Sequence, residues 1–382
     1  MPHASTAHRT PAGQEAATRR RSQFRIGFAA AWAVVCALAV TACVNAAVEP
    51  TSSITATAPP TLRQSSTITV SAVGDMIFDR DVKELITETN GEEPLSQVAA
   101  RLAAADITVG NLESPLSDGG NRDKAKTIAF RGDPRGVAGL ARAGFDFLSL
   151  ANNHILDYGA DALDDTVRLL DEHGIGYAGA GPDRSAAWAP AVAQRKGATV
   201  AFLSFSHILP AGFVATDSRA GLARGLNNMG TVEEAIRSVK SEYDYVIVSF
   251  HWGAEYEDDC SGDQVEDAHR AIDAGADMVM GHHPHVIQAV EYYNGRLIAY
   301  SLGDFVFDHY SRKTGEAFIL EASLGPAGVS DVVITPVYLN GNGKPEYVHG
   351  EEATTILERL RDISAKRKTT VTIGGDVATV TP

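Results

Sequence analysis

The chain has 382 residues, a formal charge of −15, 44% hydrophobic residues and 21% charged residues. That composition is ordinary for a globular protein able to bury a core, and it excludes wholesale disorder and any need for disulfide staples. The acidic balance gives no electrostatic footprint for nucleic acid, so an anionic substrate has to be held locally, by a metal or by a few basic residues.

Residues 1–25 carry Arg9, Arg19, Arg20, Arg21 and Arg25 against the single acid Glu15, and Ile26 to Ala42 holds no charge. This is a basic n-region followed by an apolar h-region, and Val40-Thr41-Ala42-Cys43 sets small residues before a cysteine, as a cleavage site requires. The segment resembles a bacterial lipobox. The expectation is a signal peptide over 1–42 and a lipidated Cys43 that holds an exported protein on the outer face of the cell membrane. An uncleaved anchor is the alternative, since about 17 apolar residues stand at the lower limit of a membrane span.

Loss of 1–42 removes five arginines and one glutamate and moves the formal charge from −15 to −19. Beyond Cys43 the only cysteine is Cys260, read as a partly buried, inert thiol. Residues 43–66 are rich in Ala, Thr, Ser and Pro and read as a flexible tether.

The folded domain is expected over 67–345. It opens with Ile68 to Val73, a β pattern that ends in Gly74-Asp75. The same device recurs at Asp106 to Val109 before Gly110-Asn111-Leu112-Glu113, and at Phe145 to Leu150 before Asn152-Asn153-His154. Further on, Tyr245 to Phe250 precedes His251-Trp252-Gly253, and Met278 to Met280 precedes Gly281-His282-His283-Pro284-His285. Helical spacing of apolar residues lies between these strands, near 93–104, 134–143, 159–173, 231–241 and 263–275. Such alternation predicts an α/β fold with a mostly parallel sheet, whose ligands bind beyond the carboxyl ends of the strands. After residue 285 a hairpin around Asn294-Gly295 and strands near 316–323 and 331–339 suggest a second sheet packed on the first. Residues 346–382 read as a helix followed by a Lys/Arg- and Thr-rich tail.

Asp75, Glu113, Asn153, His154, His251, His283 and His285 all fall at predicted strand ends, an arrangement that points to a metal site. Imidazoles mixed with carboxylate and amide oxygens suit Mn, Fe or Zn. Two imidazoles at His283 and His285 reach one site only if the backbone curls, and His282 reads equally as a ligand or as a hydrogen-bonding loop residue. Trp252, Tyr256 and Phe305 read as core residues before pocket walls, and the acidic run Glu255 to Asp259 as a solvated loop.

These motifs, with Ser301-Leu302-Gly303-Asp304-Phe305, resemble the CapA family associated with poly-γ-glutamate capsule synthesis, in order and over about residues 67–340. The family is similar to the calcineurin-like metallophosphoesterases, so the resemblance implies a four-layer α/β/β/α sandwich. It also implies one or two divalent ions: Asp75 on one, Glu113 bridging, Asn153 and His251 on the other, with His283 and His285 completing the set. His154 would serve as general acid. One departure is that Asp75 is followed by Met76 and Ile77, where the phosphoesterase pattern has a histidine two places on. The readings left open are a metal-dependent hydrolase acting on a phosphoester, an amide of an anionic polymer or a cell-wall bond, a non-catalytic subunit that engages capsule synthase membrane proteins, and a relative kept for an unrelated surface function.

Overall fold

Strand β1 (Ile68–Met76) shows how the sequence builds this protein. Ile68, Val70 and Ala72 face one core and Val73 the other, all fully buried, as period-two alternation requires of a strand covered on both faces, and a break in register after Ala72 turns Met76 toward the second core as well. The computed structural model describes residues 66–89 and 93–382, so the expected signal segment, Cys43 and most of the tether lie outside it. The described residues fall within one compact unit.

Among the described residues a ten-stranded sheet runs β17 (Thr370–Gly374), β18 (Val377–Thr381), β15 (Gly328–Leu339), β14 (Glu316–Gly325), β1, β2 (Ile107–Leu112), β3 (Phe147–Ser149) and β4 (Gly176–Ala178). Beside that path β13 (Asp304–Val306) pairs with β1, and β16 (Pro345–Tyr347) with β15. A six-stranded sheet runs β11 (Val290–Tyr293), β12 (Arg296–Ala299), β10 (Met278–His282), β9 (Tyr245–His251), β7 (Ala198–Ser206) and β6 (Ala191–Arg195). The short β5 (Ala180–Gly181) and β8 (Gly221–Leu222) pair separately.

The two sheets face each other. Phe147 stacks on Phe202 with ring centroids 5.6 Å apart, and the buried hydroxyls of Ser149 and Ser204 satisfy one another at 2.7 Å. On the outer face of the larger sheet lie α1 (Arg80–Thr89), α2 (Ala99–Leu102), α3 (Gly136–Arg142) and α4 (Gly159–Glu172), whose Val82, Ile86, Leu102, Leu140, Leu163 and Leu170 share a core with Val73, Leu112 and Leu148. On the smaller sheet lie α6 (Met229–Glu242) and α7 (Gly262–Asp273), through Val232, Ile236, Ala268 and Ala271. This is the four-layer α/β/β/α sandwich. The short α5 (Arg184–Trp188) and α8 (Arg312–Gly315) sit in connections. No helix of the described residues is long and apolar enough to cross a membrane.

Two expectations change. The five strands that end in polar tips do not form one sheet: β1, β2 and β3 belong to the larger sheet, β9 and β10 to the smaller. The late strands β14 and β15 join the larger sheet, with β14 antiparallel to β1 from Ile68 opposite Leu324. Strands buried on both faces read as continuous apolar runs that fit either sheet. The second change follows α9 (Glu351–Ala365), where the expected tail forms the hairpin β17–β18, and β18 pairs with β15.

Candidate metal centre

The tips of β1, β2, β3, β9, β10 and β13 meet at one edge of the sandwich. Gly74 makes the meeting possible, because a Cβ there would lie 1.8 Å from the carbonyl oxygen of Gly303. With that room, Asp75 N–H donates to Gly303 O at 3.0 Å and β13 runs parallel to β1 with Asp304 beside Asp75. Asp75 is fully buried. Burial works against its charge, yet the contact with His282 and the nearby His285 and His251 hold its carboxyl below the usual range.

From β2, Asn111 Nδ2 donates to Asp75 Oδ1 at 2.8 Å and lies 3.3 Å from Glu113 Oε2, so one amide spans the two carboxylates. Glu113 Oε1 is buried and has no hydrogen-bond partner. Burial and the charge of Asp75 push the Glu113 carboxyl well up. Asn111 Oδ1 in turn accepts from Asn152 (3.0 Å), whose own Oδ1 accepts the N–H groups of His154 and Ile155. Asn152 thereby fixes the turn that presents Asn153 and His154.

Asn153 Oδ1 lies 2.7 Å from His251 Nε2, which is 3.5 Å from Glu113 Oε1. Burial, then the neighbouring His283, keeps His251 neutral at a pKa well below the usual imidazole value. The curl expected at His283-Pro284-His285 is made by the histidines themselves, with φ of +97° at His283 and +56° at His285. Positive φ at a residue with a side chain costs about 1–3 kcal/mol and is retained where the surroundings enforce it. His283 Nδ1 is buried without a partner, and burial drops its pKa to about 3. His285 Nδ1 meets Asp304 Oδ1 at 2.8 Å. Burial opposes its charge, but Asp304 and Glu113 hold the imidazole well above its ordinary value. Burial pushes Asp304 up to about 7.

Three overlapping trios have ligand atoms within 4.8 Å of one another: Glu113, His283 and His285; Asp75, His285 and Asp304; Asp75, Glu113 and His251. The neutral imidazoles, the orphaned Glu113 oxygen and the crowded carboxylates fit a divalent cation, which replaces the protons that buried acids otherwise share. His282 is buried with Nδ1 2.9 Å from Asp75 Oδ1, but neither ring nitrogen makes a hydrogen bond.

His154 stands at the edge of this cluster. Its Nδ1 lies 2.6 Å from Asp157 Oδ2, which also accepts Phe130 N–H at 2.8 Å. Asp157 Oδ1 takes Lys126 Nζ. With Nδ1–H donated to the carboxylate, Nε2 is the free ring nitrogen. Burial lowers the His154 pKa against the raising effect of Asp157. A pocket beside the cluster is lined by Arg80, Phe130, His154, Tyr256, His285, Asp304, Phe307 and Tyr310, among others. A larger cavity of about 510 Å³ opens at the starts of α6 and α7, lined by His207, Asp263, Glu266, Asp267 and Arg270, and none of the clustered ligands borders it.

Trp252 and Phe305 are core residues with no exposure, and Tyr256 is an exposed pocket wall. The acidic run is the expected exposed loop at Glu255, Glu257 and Asp259, with ion pairs at one end: Asp258 accepts from Arg359 at 2.6 Å and Lys313 at 2.5 Å, and Asp259 from Lys366 at 2.5 Å. Cys260 is buried, which raises its thiol pKa.

Sequence reasoning gives no role to Asp304, Asp157, Asn111 or Asn152. Asp304 stands beside Asp75 and His285 in one of the trios, delivered by a strand more than two hundred residues away from Asp75. For Asp157 the spacing His-x-x-Asp is a usable signal, since one turn of chain brings i and i+3 together.

The model of the family described as "Bacterial capsule synthesis protein PGA_cap" matches residues 69–309. The chain is 34% identical over 297 residues to the "Capsule biosynthesis protein CapA" of Bacillus anthracis, covering 76% of this chain and 72% of that one. It is likewise 34% identical over 273 residues to the "PGA biosynthesis protein CapA" of Bacillus subtilis (71% of each). A "Probable polyglutamine synthesis accessory protein" of Mycobacterium tuberculosis is 34% identical over 237 residues, 60% of this chain and 62% of that one. The motifs that form the centre, Asp75 to Asp304, all lie inside the matched span, and the chain belongs to the PGA_cap family of bacterial capsule synthesis proteins.

Proposed function

We propose that this protein is an exported, lipid-anchored member of the family that acts in polyglutamate capsule biosynthesis through a metal-dependent hydrolase site. The observation that carries the reading is the convergence of Asp75, Glu113, His251, His283, His285 and Asp304 into overlapping, buried trios, several of whose atoms have no hydrogen-bond partner among the described residues. One or two ions of Mn, Fe or Zn suit these donors. When bound, such an ion polarises the scissile group and activates water. Asp157 holds the imidazole of His154 at Nδ1, so that in its protonated form Nε2–H would give its proton to the leaving oxygen as general acid, with Asp157 stabilising the imidazolium. Asn152 fixes the turn that presents Asn153 and His154.

The test is elemental analysis of the purified protein together with hydrolysis assays on phosphoester and γ-glutamyl amide probes. Bound transition metal that is lost in His251→Ala and His285→Ala, with hydrolysis lost in parallel, supports the reading. Full hydrolysis in both variants sinks it. Surface attachment is tested separately, by the distribution of a Cys43→Ala protein between membrane and medium; retention on the membrane removes the lipid anchor from the proposal.

A second reading, a non-catalytic assembly subunit, is favoured by the pair Met76 and Ile77, which occupies the positions after Asp75 with fully buried, apolar side chains. It predicts capsule production that survives His154→Ala and His251→Ala.

A further inference from the structure

We infer that Arg80 reads an oxyanion of the substrate, and that the rim around it receives the aliphatic stem on which that oxyanion is carried. The inference rests on the proposed reading of the metal centre and adds the chemical class of what enters it.

Four observations carry it. Arg80 lines the same pocket as His154, His285 and Asp304, and among the described residues it is the one Lys or Arg side chain that does so. It begins α1 at φ +53°, a left-handed conformation that a residue with a long side chain holds only under constraint from its surroundings. Its guanidinium lies 4.5 Å over the ring of Phe130, and Nη1 donates to Asp308 at 2.7 Å and to the Tyr310 hydroxyl. Nε and Nη2 make no hydrogen bond to the described residues, and the side chain is 30% exposed. The fork is thus fixed on one side and open on the other, the state from which an arginine takes a carboxylate or phosphate with little further ordering.

The fourth observation is the rim. Five large hydrophobic residues are exposed among those described, and three of them, Ile128, Tyr256 and Tyr310, border this pocket. Exposed apolar side chains gathered at one opening mark a binding surface. A methylene stem bearing an oxyanion fits both features, its carbon on the rim and its charge on Arg80. In a γ-linked glutamate polymer each carboxylate sits on a carbon followed by two main-chain methylenes, which would lie on the rim, and an alkyl phosphate monoester offers a comparable pairing of oxyanion and methylene carbon.

The experiment is calorimetric titration of the full chain, purified in detergent with its bound metal, with three probes: a short γ-linked glutamate oligomer, the same oligomer with its carboxyls amidated, and hexyl phosphate. Arg80→Ala is expected to weaken one charged probe by about 10-fold or more, the size of a lost charge-assisted pair, and to leave the amidated oligomer unchanged. The probe that loses affinity identifies the source of the oxyanion. Arg80→Lys recovers part of the loss, because a point charge cannot make the paired contact. Arg80→Gly, which suits the left-handed backbone, is expected to keep metal content and melting temperature while losing the same affinity. Equal binding of both charged probes by the parent and Arg80→Gly overturns the inference alone. A parent protein that holds metal and binds neither charged probe overturns it together with the substrate reading on which it rests.

Discussion

The two ends of the parallel strands satisfy their carboxylates in opposite ways. At the starts, Asp106, Asp146, Asp244 and Asp277 each stand just before a strand and accept a backbone N–H from the neighbouring one, at 2.8 Å in every case: from Thr69, Thr108, Thr199 and Val246. Three of them also meet a cation, Lys196, Arg195 and Lys240 in turn. At the finishing ends, Glu113 Oε1, His251 Nδ1, His282 Nε2 and His283 Nδ1 are buried with no hydrogen-bond partner among the described residues. Buried charge alone therefore does not mark a functional site in this fold. What separates the ends is whether each polar atom is satisfied from within the chain.

The largest effect that would sharpen this contrast is at a satisfied carboxylate. Asp277→Ala strips partners from Val246 N–H, Lys240 and Arg296 at a site 2% exposed. It should cost about 3–5 kcal/mol of stability, the toll of leaving a buried charge unpaired. Denaturant unfolding measures it, and metal content per folded molecule should stay at the parent value. At the other end Glu113→Gln should leave stability at or above that of the apo parent, since it removes a buried repulsion with Asp75. Metal affinity should fall by more than the roughly 10–100-fold that outer ligand partners cost. A Glu113→Gln protein that unfolds as easily as Asp277→Ala breaks the comparison.

A smaller effect is expected at Asp157→Asn, which keeps shape but loses the carboxylate that orients His154. Turnover should drop about 10–100-fold with metal content unchanged, and an unchanged rate removes His154 from the acid role. The smallest effect concerns Asp267, whose carboxyl is pushed up to about 6 by burial and by Glu266, Asp263 and Glu233, against the lowering effect of Arg270. The folded state thus binds this proton more tightly than the unfolded chain does, so stability falls as pH rises from about 4 to 6 and the full penalty applies above that. Asp267→Asn should raise the melting temperature by about 2 °C at pH 7.5 and leave it unchanged at pH 4.

The strand tips are legible in the sequence because each pairs a short β pattern with a ligand-type residue, and Asp75, Glu113, Asn153, His154, His251, His283 and His285 do meet in space. Asp304 is not legible in that way. Its role depends on Gly74 and Gly303 allowing two strands to approach, which only the folded chain displays. Nor does period-two alternation say which of two sheets a strand joins, so β9 and β10 could not be separated from β1 to β3. The hairpin β17–β18 does carry a signal that a tail-like composition conceals: Val371 and Ile373 alternate on one side of Gly374-Gly375, Ala378 and Val380 on the other.

One feature of the wall beside the centre bears on when the protein becomes competent. Arg359 and Lys366, on and just after α9, hold Asp258 and Asp259 close behind Tyr256, and β1 finds its antiparallel neighbour only in Glu316–Gly325. Ribosomes deliver the first strand some 250 residues before that neighbour. Until then β1 has one edge without its partner, the kind of opening that other chains exploit. Assembly of the site is therefore a late, long-range event, and the nascent molecule needs to be kept apart from its own copies until its last helix has arrived.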